Sequence, residues 1–210
     1  MLNKLFIVII GIVFVGCENN DGIYIDETTK LVVTKKGDAE IVVSGEDFKT
    51  KQANELNSEG IELSQKGSPA LARKKFLEAL ELEPKNATIL NSLGIAEMQL
   101  QHYKKSIKYF EEALILSDST YVNSAINLGL SYYYNQEYNK CLSISDFAIS
   151  NTNSQVHRGS AIMNKALAQV KLGLCEEASK NLILLKSIFA NDDIAQMNQL
   201  EESIELCLEK

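Results

Sequence analysis

Hydrophobic and polar positions divide the chain into three parts with different patterns. The first part is a continuous apolar run, Leu5–Val15, which ends just before Cys17 and is followed at once by polar residues. The second part has two β-branched runs, 31–34 and 41–44, on either side of a Gly-containing turn, which predicts a short N-terminal β-hairpin or, as the alternative, a flexible tether. From Ala53 onward the apolar residues recur at helical spacing, so the rest of the chain is predicted to be all-α.

The helical part repeats itself about every 34 residues. Gly60 and Gly94 are 34 residues apart, Gly129 follows after 35, and a weaker fourth copy places Ala166 after a further 37. Glycine costs a helix roughly 1 kcal/mol relative to alanine, so its return at one place in each copy predicts a second helix packed closely against it. The copies lie at about 53–86, 87–120, 122–155 and 159–192.

A period near 34 residues built from two helices resembles the tetratricopeptide repeat (TPR) family. The first copy carries the resemblance best, with Leu56, Gly60, Ala72, Phe76, Ala79 and Pro84 at the family's preferred places. The resemblance implies an α-α superhelix, a solenoid of about four helix pairs spanning 51–190 whose first helices line the concave side. Phe76 and its counterpart Phe110 are expected to fill the space between successive pairs.

A last amphipathic helix is predicted within 191–210, and its glutamates suit the solvated outer face of a cap on an open-ended array. Cys175 begins the preceding helix and Cys207 ends this one, and each lies 16 residues from Asn191 in the turn between them. An antiparallel helix pair could join the two cysteines in a disulfide, or the helix crossing could leave them as ordinary thiols. Cys141 occupies a small-residue packing position and is expected to be a buried apolar side chain.

The apolar N-terminal run indicates where the protein acts. Its eleven residues span roughly 16 Å as a helix, about half of a membrane's hydrocarbon core, so residues 1–16 are predicted to be an export signal. The stretch Phe14-Val15-Gly16-Cys17 resembles the lipobox of bacterial lipoproteins. That resemblance implies that Cys17 becomes the first residue of the mature chain and carries fatty acyl chains such as palmitate. An uncleaved anchor or an ordinary secretory signal is the alternative.

On this interpretation the protein lies in the bacterial cell envelope, anchored in a lipid bilayer through the acylated Cys17. The outer membrane is expected rather than the inner one. Residues 17–50 then form the lipidated N-terminus, a linker and the hairpin, ahead of the repeat array.

Charge and composition exclude several classes of function. The net charge is −7, and loss of residues 1–16, which contain one charged residue, Lys4, makes it −8; an acidic chain without a basic run is a poor partner for nucleic acid. The two histidines, His102 and His157, have no Cys, Asp or Glu at metal-ligand spacing. No phosphate-binding glycine loop or Gly-x-Ser-x-Gly elbow occurs. We therefore expect no metal, no cofactor, no catalytic residue and no enzymatic activity.

The concave face of the first helices is the predicted ligand site. At helical spacing it comprises Asn57, Asn91, Ile95, Met98, Ile126, Leu130, Tyr133, Tyr134, Met163 and Lys171. Its amides could bond a peptide backbone, while its aromatic and apolar members form an anchor pocket. The alternative is that part of this face packs against the N-terminal hairpin or the terminal helix.

Two classes of function are consistent with these features. The TPR resemblance implies an adaptor that binds a protein, a peptide or a partner helix in the concave groove. The alternative is a lipoprotein that binds a small molecule or a glycan through the aromatic patch of the third repeat, Tyr132–Tyr134. Because fold alone does not decide function, the partner must be argued from the site itself.

Overall fold

The computed structural model describes residues 48–117, 122–189 and 195–209, together with the backbone of four two-residue strands in the N-terminal part. The described residues form nine α-helices: α1 Lys51–Gln65, α2 Pro69–Leu82, α3 Ala87–Gln99, α4 Tyr103–Leu116, α5 Val122–Tyr134, α6 Tyr138–Ser150, α7 Gln155–Lys171, α8 Cys175–Ile188 and α9 Ala195–Leu208. None of these helices combines the length and the hydropathy that a membrane crossing requires.

The four short strands form two antiparallel pairs. Strand β1 (Val8–Ile9) pairs with β2 (Ile12–Val13), and β3 (Ile25–Asp26) pairs with β4 (Leu31–Val32). The predicted hairpin between residues 31–34 and 41–44 lies for the most part outside the described residues, as does the lipobox with Cys17.

The predicted all-α solenoid is confirmed. Helices α1, α3, α5 and α7 are the first helices of four pairs; each packs on the helix that follows it, and successive pairs pack on one another. The core is correspondingly a chain of small clusters, and Phe76 and Phe110 are its largest fully buried side chains. In the fourth pair, Ala166 is buried and lies nine residues before the start of α8. Gly129 is likewise buried and lies nine residues before the start of α6, so the two residues hold the same place in their pairs.

Helix starts follow local chemistry that the sequence carries. The side chains of Thr50, Asn86 and Ser154 cap α1, α3 and α7 by accepting a backbone N–H of the first turn. Pro69 opens α2, where a missing N–H costs nothing.

The turn inside each helix pair contains one residue with positive φ at the same place. These residues are Gly67, Gln101, Gln136 and Gly173. The first and last of these residues are glycines. The two between them are glutamines, and a positive φ costs a residue other than glycine about 1 kcal/mol. Because a non-glycine residue accepts this strain twice, the turn geometry is imposed by the packing of the pair rather than by the local sequence.

Helix α9 closes the last pair. Its Met197, Leu200 and Ile204 are buried against α7 and α8, and its glutamates lie on the outer side, as the predicted cap requires. Cys175 and Cys207 are joined in a disulfide with a Cα–Cα distance of 5.7 Å, so α9 is also held covalently. Cys141 is a free, buried thiol.

At the other end of the array, a buried carboxylate fixes the point where the chain joins α1. Glu83, just after α2, accepts hydrogen bonds from the backbone N–H of Thr50 at 2.7 Å and from Asn86 Nδ2 at 2.9 Å. Phe48, two residues before Thr50, packs on the cluster between α1 and α2. Burial raises the pKa of the Glu83 carboxyl, but the hydrogen bonds from Asn86 and Thr50 outweigh it and hold that pKa below its ordinary value of 4.5.

The variant Glu83→Gln is expected to lower the free energy of unfolding at neutral pH by about 1 to 2 kcal/mol, because hydrogen bonds to a charged acceptor are stronger than those to a neutral one. A carboxyl whose pKa is depressed on folding stabilises the native state above its unfolded pKa. That stability is lost as the pH falls through the folded value, so the difference between variant and wild type should shrink below pH 4.5. Urea unfolding at several pH values measures this. The control is Glu81→Gln, an exposed neighbour on α2; an equal loss there would contradict the assignment.

Candidate functional site

The first-helix face is the surface that α1, α3, α5 and α7 share. The ten residues predicted to line this face differ widely in exposure. Five are buried, namely Asn57, Asn91, Ile95, Met98 and Ile126. Three are half-buried, namely Leu130, Tyr133 and Met163, and two are exposed, namely Tyr134 and Lys171. The side chains at the first five positions are shielded from solvent within the single chain. Whether any of the ten binds a ligand stays a prediction.

The buried apolar members belong to the core clusters. Ile95 lies with Phe110, Leu128 and Tyr132, and Ile126 lies with the alanines of α5, α6 and α7. These contacts join one helix pair to the next, so both isoleucines contribute to the stability of the stack.

Amide and hydroxyl side chains link successive first helices. Asn91 Oδ1 of α3 accepts hydrogen bonds from Ser124 Oγ at 3.1 Å and Asn127 Nδ2 at 3.3 Å, both on α5. Asn164 Nδ2 of α7 donates to the carbonyl oxygen of Ile126 at 2.9 Å. Buried polar groups are stable when they are paired in this way, and these pairs set the spacing of the first helices.

Other amides of the same face find no hydrogen-bond partner among the residues that the structure describes. Both side-chain atoms of Asn57 are in this state, and so are the Oδ1 atoms of Asn54, Asn123 and Asn127. Buried amide atoms are ordinarily paired, because leaving one unpaired costs about 1 to 3 kcal/mol.

The exposed part of the face lies at the end of α5. Leu130, Tyr133 and Tyr134 are spaced i, i+3 and i+4 and therefore share one side of that helix. Tyr134 is 48% exposed, and it is the one aromatic residue among the exposed large hydrophobic side chains of the described residues. An aromatic ring that is partly exposed to solvent is a common anchor for a side chain of a partner.

The tyrosines at the end of α5 pack against one another and against Tyr103. The rings of Tyr103 and Tyr134 are stacked with their centroids 5.3 Å apart, and Tyr133 meets Tyr134 edge to face at 5.5 Å. Burial is the main cause that raises the pKa of Tyr133 and of Tyr134 above the ordinary value, so both phenols stay neutral at physiological pH. Since Tyr103 covers one face of Tyr134, only part of this cluster could stack on a sugar ring.

Tyr132, the remaining member of the predicted aromatic patch, is turned inward. Its hydroxyl donates to Glu111 Oε1 at 2.6 Å, and Lys140 Nζ lies 5.2 Å from its ring centroid. Burial, followed by the Glu111 hydrogen bond, raises its pKa. Tyr132 therefore supports the contact between α4, α5 and α6 and is not available for stacking.

One charged cluster was missed by sequence reasoning. Glu97 at the end of α3 has a side chain only 4% exposed; its Oε2 lies 2.6 Å from His102 Nδ1 and its Oε1 lies 3.7 Å from Arg73 Nη1. These residues come from α2, α3 and the turn before α4, and no spacing pattern in the sequence brings them together. The cluster joins two helix pairs, and within the described residues no set of three or more His, Cys, Asp or Glu side chains is placed to hold a metal ion.

The chain is similar to several solved structures in its three-dimensional fold. No protein-family model matches the chain. Among solved structures, the chain aligns with a tetratricopeptide repeat protein from Parabacteroides merdae with a TM-score of 0.62 and 15% identity, over 76% of this chain and 61% of that one. It aligns with the APC/C hetero-tetramer Cut9–Hcn1 with a TM-score of 0.65 and 17% identity, over 75% and 30%.

A third similar structure is the Sgt2 TPR domain from Aspergillus fumigatus, with a TM-score of 0.53 and 21% identity, over 62% of this chain and 83% of that one. At these identities the similarity establishes the fold and nothing more specific. Together with the four helix pairs, it shows that the chain has the helical-repeat fold of tetratricopeptide repeat proteins.

Proposed function

We propose that this protein is a lipid-anchored adaptor of the bacterial cell envelope that holds a protein partner, as an extended peptide or a helix, on its first-helix face. The observation that carries the proposal is the apolar and aromatic surface at the end of α5, where Tyr134 is 48% exposed beside the half-buried Leu130 and Tyr133. An aromatic anchor of this kind provides selectivity for a side chain of a protein partner.

The TPR-type fold supports this choice of ligand class. One of the similar solved structures, Cut9–Hcn1, is itself described as a hetero-tetramer of proteins. The inward position of Tyr132 and the stacking of Tyr134 on Tyr103 reduce the surface open to a sugar, so the glycan-binding alternative is less well supported.

Two features of the chain support the proposed location. The stretch ending at Cys17 resembles a lipobox, and the Cys175–Cys207 disulfide suits an oxidising compartment outside the cytoplasm. The variant Cys17→Ser tests the anchor, since loss of acylation should move the protein from the membrane fraction to the soluble fraction. An unchanged distribution would reject the lipid anchor.

A photoreactive residue at Tyr134 is expected to capture the partner in living cells, because that ring is the exposed anchor of the face. The control is the same residue at Ile115 on α4, which is 74% exposed but lies on a second helix. Mass spectrometry should identify a protein cross-linked reproducibly from Tyr134 and not from Ile115. Capture of the same proteins from both positions, or of none from Tyr134, would contradict the adaptor function.

A further inference from the structure

The exposed ring of Tyr134 is bordered on one side by a lysine at the start of α4. Tyr103, whose ring stacks on Tyr134 with the centroids 5.3 Å apart, is the first residue of that helix, and the exposed Lys104 follows it. The hydrogen bond from Lys140 is the main cause that lowers the pKa of Glu137, and the charge of Lys104 is a smaller one. Lys104 therefore lies within electrostatic reach of the turn that follows Tyr134.

A second lysine borders the ring from the next first helix. Lys171 is exposed and is the last residue of α7, as Tyr134 is the last residue of α5. The two residues hold the same place in their pairs, because Lys171 lies five residues after Ala166 and Tyr134 lies five residues after Gly129. Helices α5 and α7 pack on each other, and packed helices are about 10 Å apart. One short stretch of a partner could therefore contact both Tyr134 and Lys171.

Neither lysine forms an ion pair within the part of the chain that the structure describes, although carboxylates are near both. Glu137, in the turn after Tyr134, is bound by Lys140. Glu176 and Glu177 at the start of α8 are exposed and make no ion pair with the lysine that ends α7. In a chain whose net charge is −7, two unpaired cations beside the exposed ring form a local surface that attracts negative charge.

We propose that the protein partner binds this surface through an acidic segment, in which one apolar side chain packs on Tyr134 while carboxylates on either side of it pair with Lys104 and Lys171. The inference rests on the proposed function, and it adds the chemical class of the segment that the site selects. The ring supplies the anchor, and the two lysines fix the register and exclude partners of the wrong charge.

The chemistry of such a segment is complementary to each part of the site. An apolar side chain covers the part of the Tyr134 ring that remains 48% exposed beside Tyr103. Carboxylates supply the opposite charges that the two lysines lack. An extended chain advances about 3.3 Å per residue, so cations roughly 10 Å from the anchor select acidic residues within about three positions of it on each side. A basic segment would place like charges together, which is how the site discriminates.

The test uses the full chain, immobilised, and a displayed library of random peptides as the probe. Peptides are selected on the wild type and then screened against Tyr134→Ala, so that those bound through the ring are identified by their loss of binding. We expect these peptides to contain an aromatic or aliphatic residue with Asp or Glu on both sides of it, at least about twofold more often than the unselected library. This excess is the readout for the lysines, whereas the loss of binding with Tyr134→Ala is the readout for the anchor.

Two double variants of equal charge isolate the contribution of the lysines. Lys104→Gln/Lys171→Gln is expected to weaken the binding of a selected peptide about three- to tenfold, since an exposed ion pair contributes modestly. It should also reduce the salt dependence, which for the wild type should be several-fold between about 50 and 300 mM salt. The control, Lys85→Gln/Lys180→Gln, removes two exposed lysines from other parts of the array and should leave the affinity within about twofold. Fluorescence anisotropy with the synthetic peptide measures both.

The outcomes distinguish this inference from the proposed function. Peptides that depend on Tyr134 but show no excess of acidic residues, or that bind the two double variants equally well, would overturn the acidic segment and leave the adaptor function in place. A selection in which no peptide loses affinity for Tyr134→Ala would overturn both, because the ring would then not be the anchor of the face.

Discussion

The variant Gly94→Ala is expected to destabilise the protein by about 2 to 3 kcal/mol, even though alanine is the better helix former by roughly 1 kcal/mol. A Cβ at Gly94 would lie 2.6 Å from Cδ1 of Phe110, closer than atoms can approach. The ring cannot turn away, because Phe110 is fully buried among Ile95, Ile107 and Leu128. Either α3 and α4 separate or the core around the ring repacks, so we expect the melting temperature to fall by roughly 5 to 10 °C.

Gly129→Ala is the matched control, since Gly129 holds the same place in the next first helix. A Cβ there would meet Ile144 Cγ2 and Ser145 Oγ at 3.3 Å and Asn164 Nδ2 at 3.4 Å, contacts that small shifts relieve, and none of these three nearest atoms belongs to an aromatic ring. The gain in helix propensity should therefore leave this variant close to wild type in thermal and urea unfolding. Equal losses of stability in both variants would contradict this expectation. They would show that glycine is required for its backbone flexibility inside the helix and not for its contact with the Phe110 ring.

The glycine and phenylalanine pairs explain why the fold could be predicted from sequence. The pairs Gly60 with Phe76 and Gly94 with Phe110 are one repeat period apart. In the structure each glycine contacts the ring of its phenylalanine in the same way. The fourth repeat matches the others less well in sequence because its glycine and phenylalanine contact involves different positions. There, Gly159 near the start of α7 receives the ring of Phe189 from the end of α8, a pairing outside the period.

The candidate site could be predicted only in outline. Helical spacing groups residues on one face of a helix, but exposure depends on what lies opposite, and that is set by the whole stack. Asn91 and Ile126 have the spacing of surface residues and are nevertheless buried against α5 and α7. Tyr134 has the same spacing and stays accessible because it is the last residue of its helix. The Glu97–His102–Arg73 cluster left no sequence signal at all.

The disulfide could be anticipated because it follows from simpler geometry. Two antiparallel helices joined by a short turn place residues equally distant from the turn side by side, and Cys175 and Cys207 satisfy that condition. The same argument assigns the bond a role. It joins the start of the last repeat to the end of the capping helix, across a sequence separation of 32 residues.

Replacing both cysteines, as Cys175→Ser/Cys207→Ser, is expected to lower the free energy of unfolding by about 2 to 4 kcal/mol, the range for a cross-link that closes a loop of this length. The loss should concentrate in α9, where Leu200, fully buried, would lose the covalent constraint that holds it on α7 and α8. Urea unfolding measures the total. Hydrogen exchange should show faster exchange in α9 while α1 to α4 stay protected.

Reduction of the wild-type protein provides the control. Intact mass should rise by about 2 Da as one bond becomes two thiols, and stability should fall to that of the double variant, which a reductant should not change further. Cys141 will not complicate the comparison, because burial raises its pKa to about 11 and keeps it as an unreactive thiol. A wild-type mass unaltered by reduction would show that the cysteines are not bonded in solution. An unaltered stability after the mass change would show that side-chain packing alone holds α9, and that the disulfide is not what closes the array.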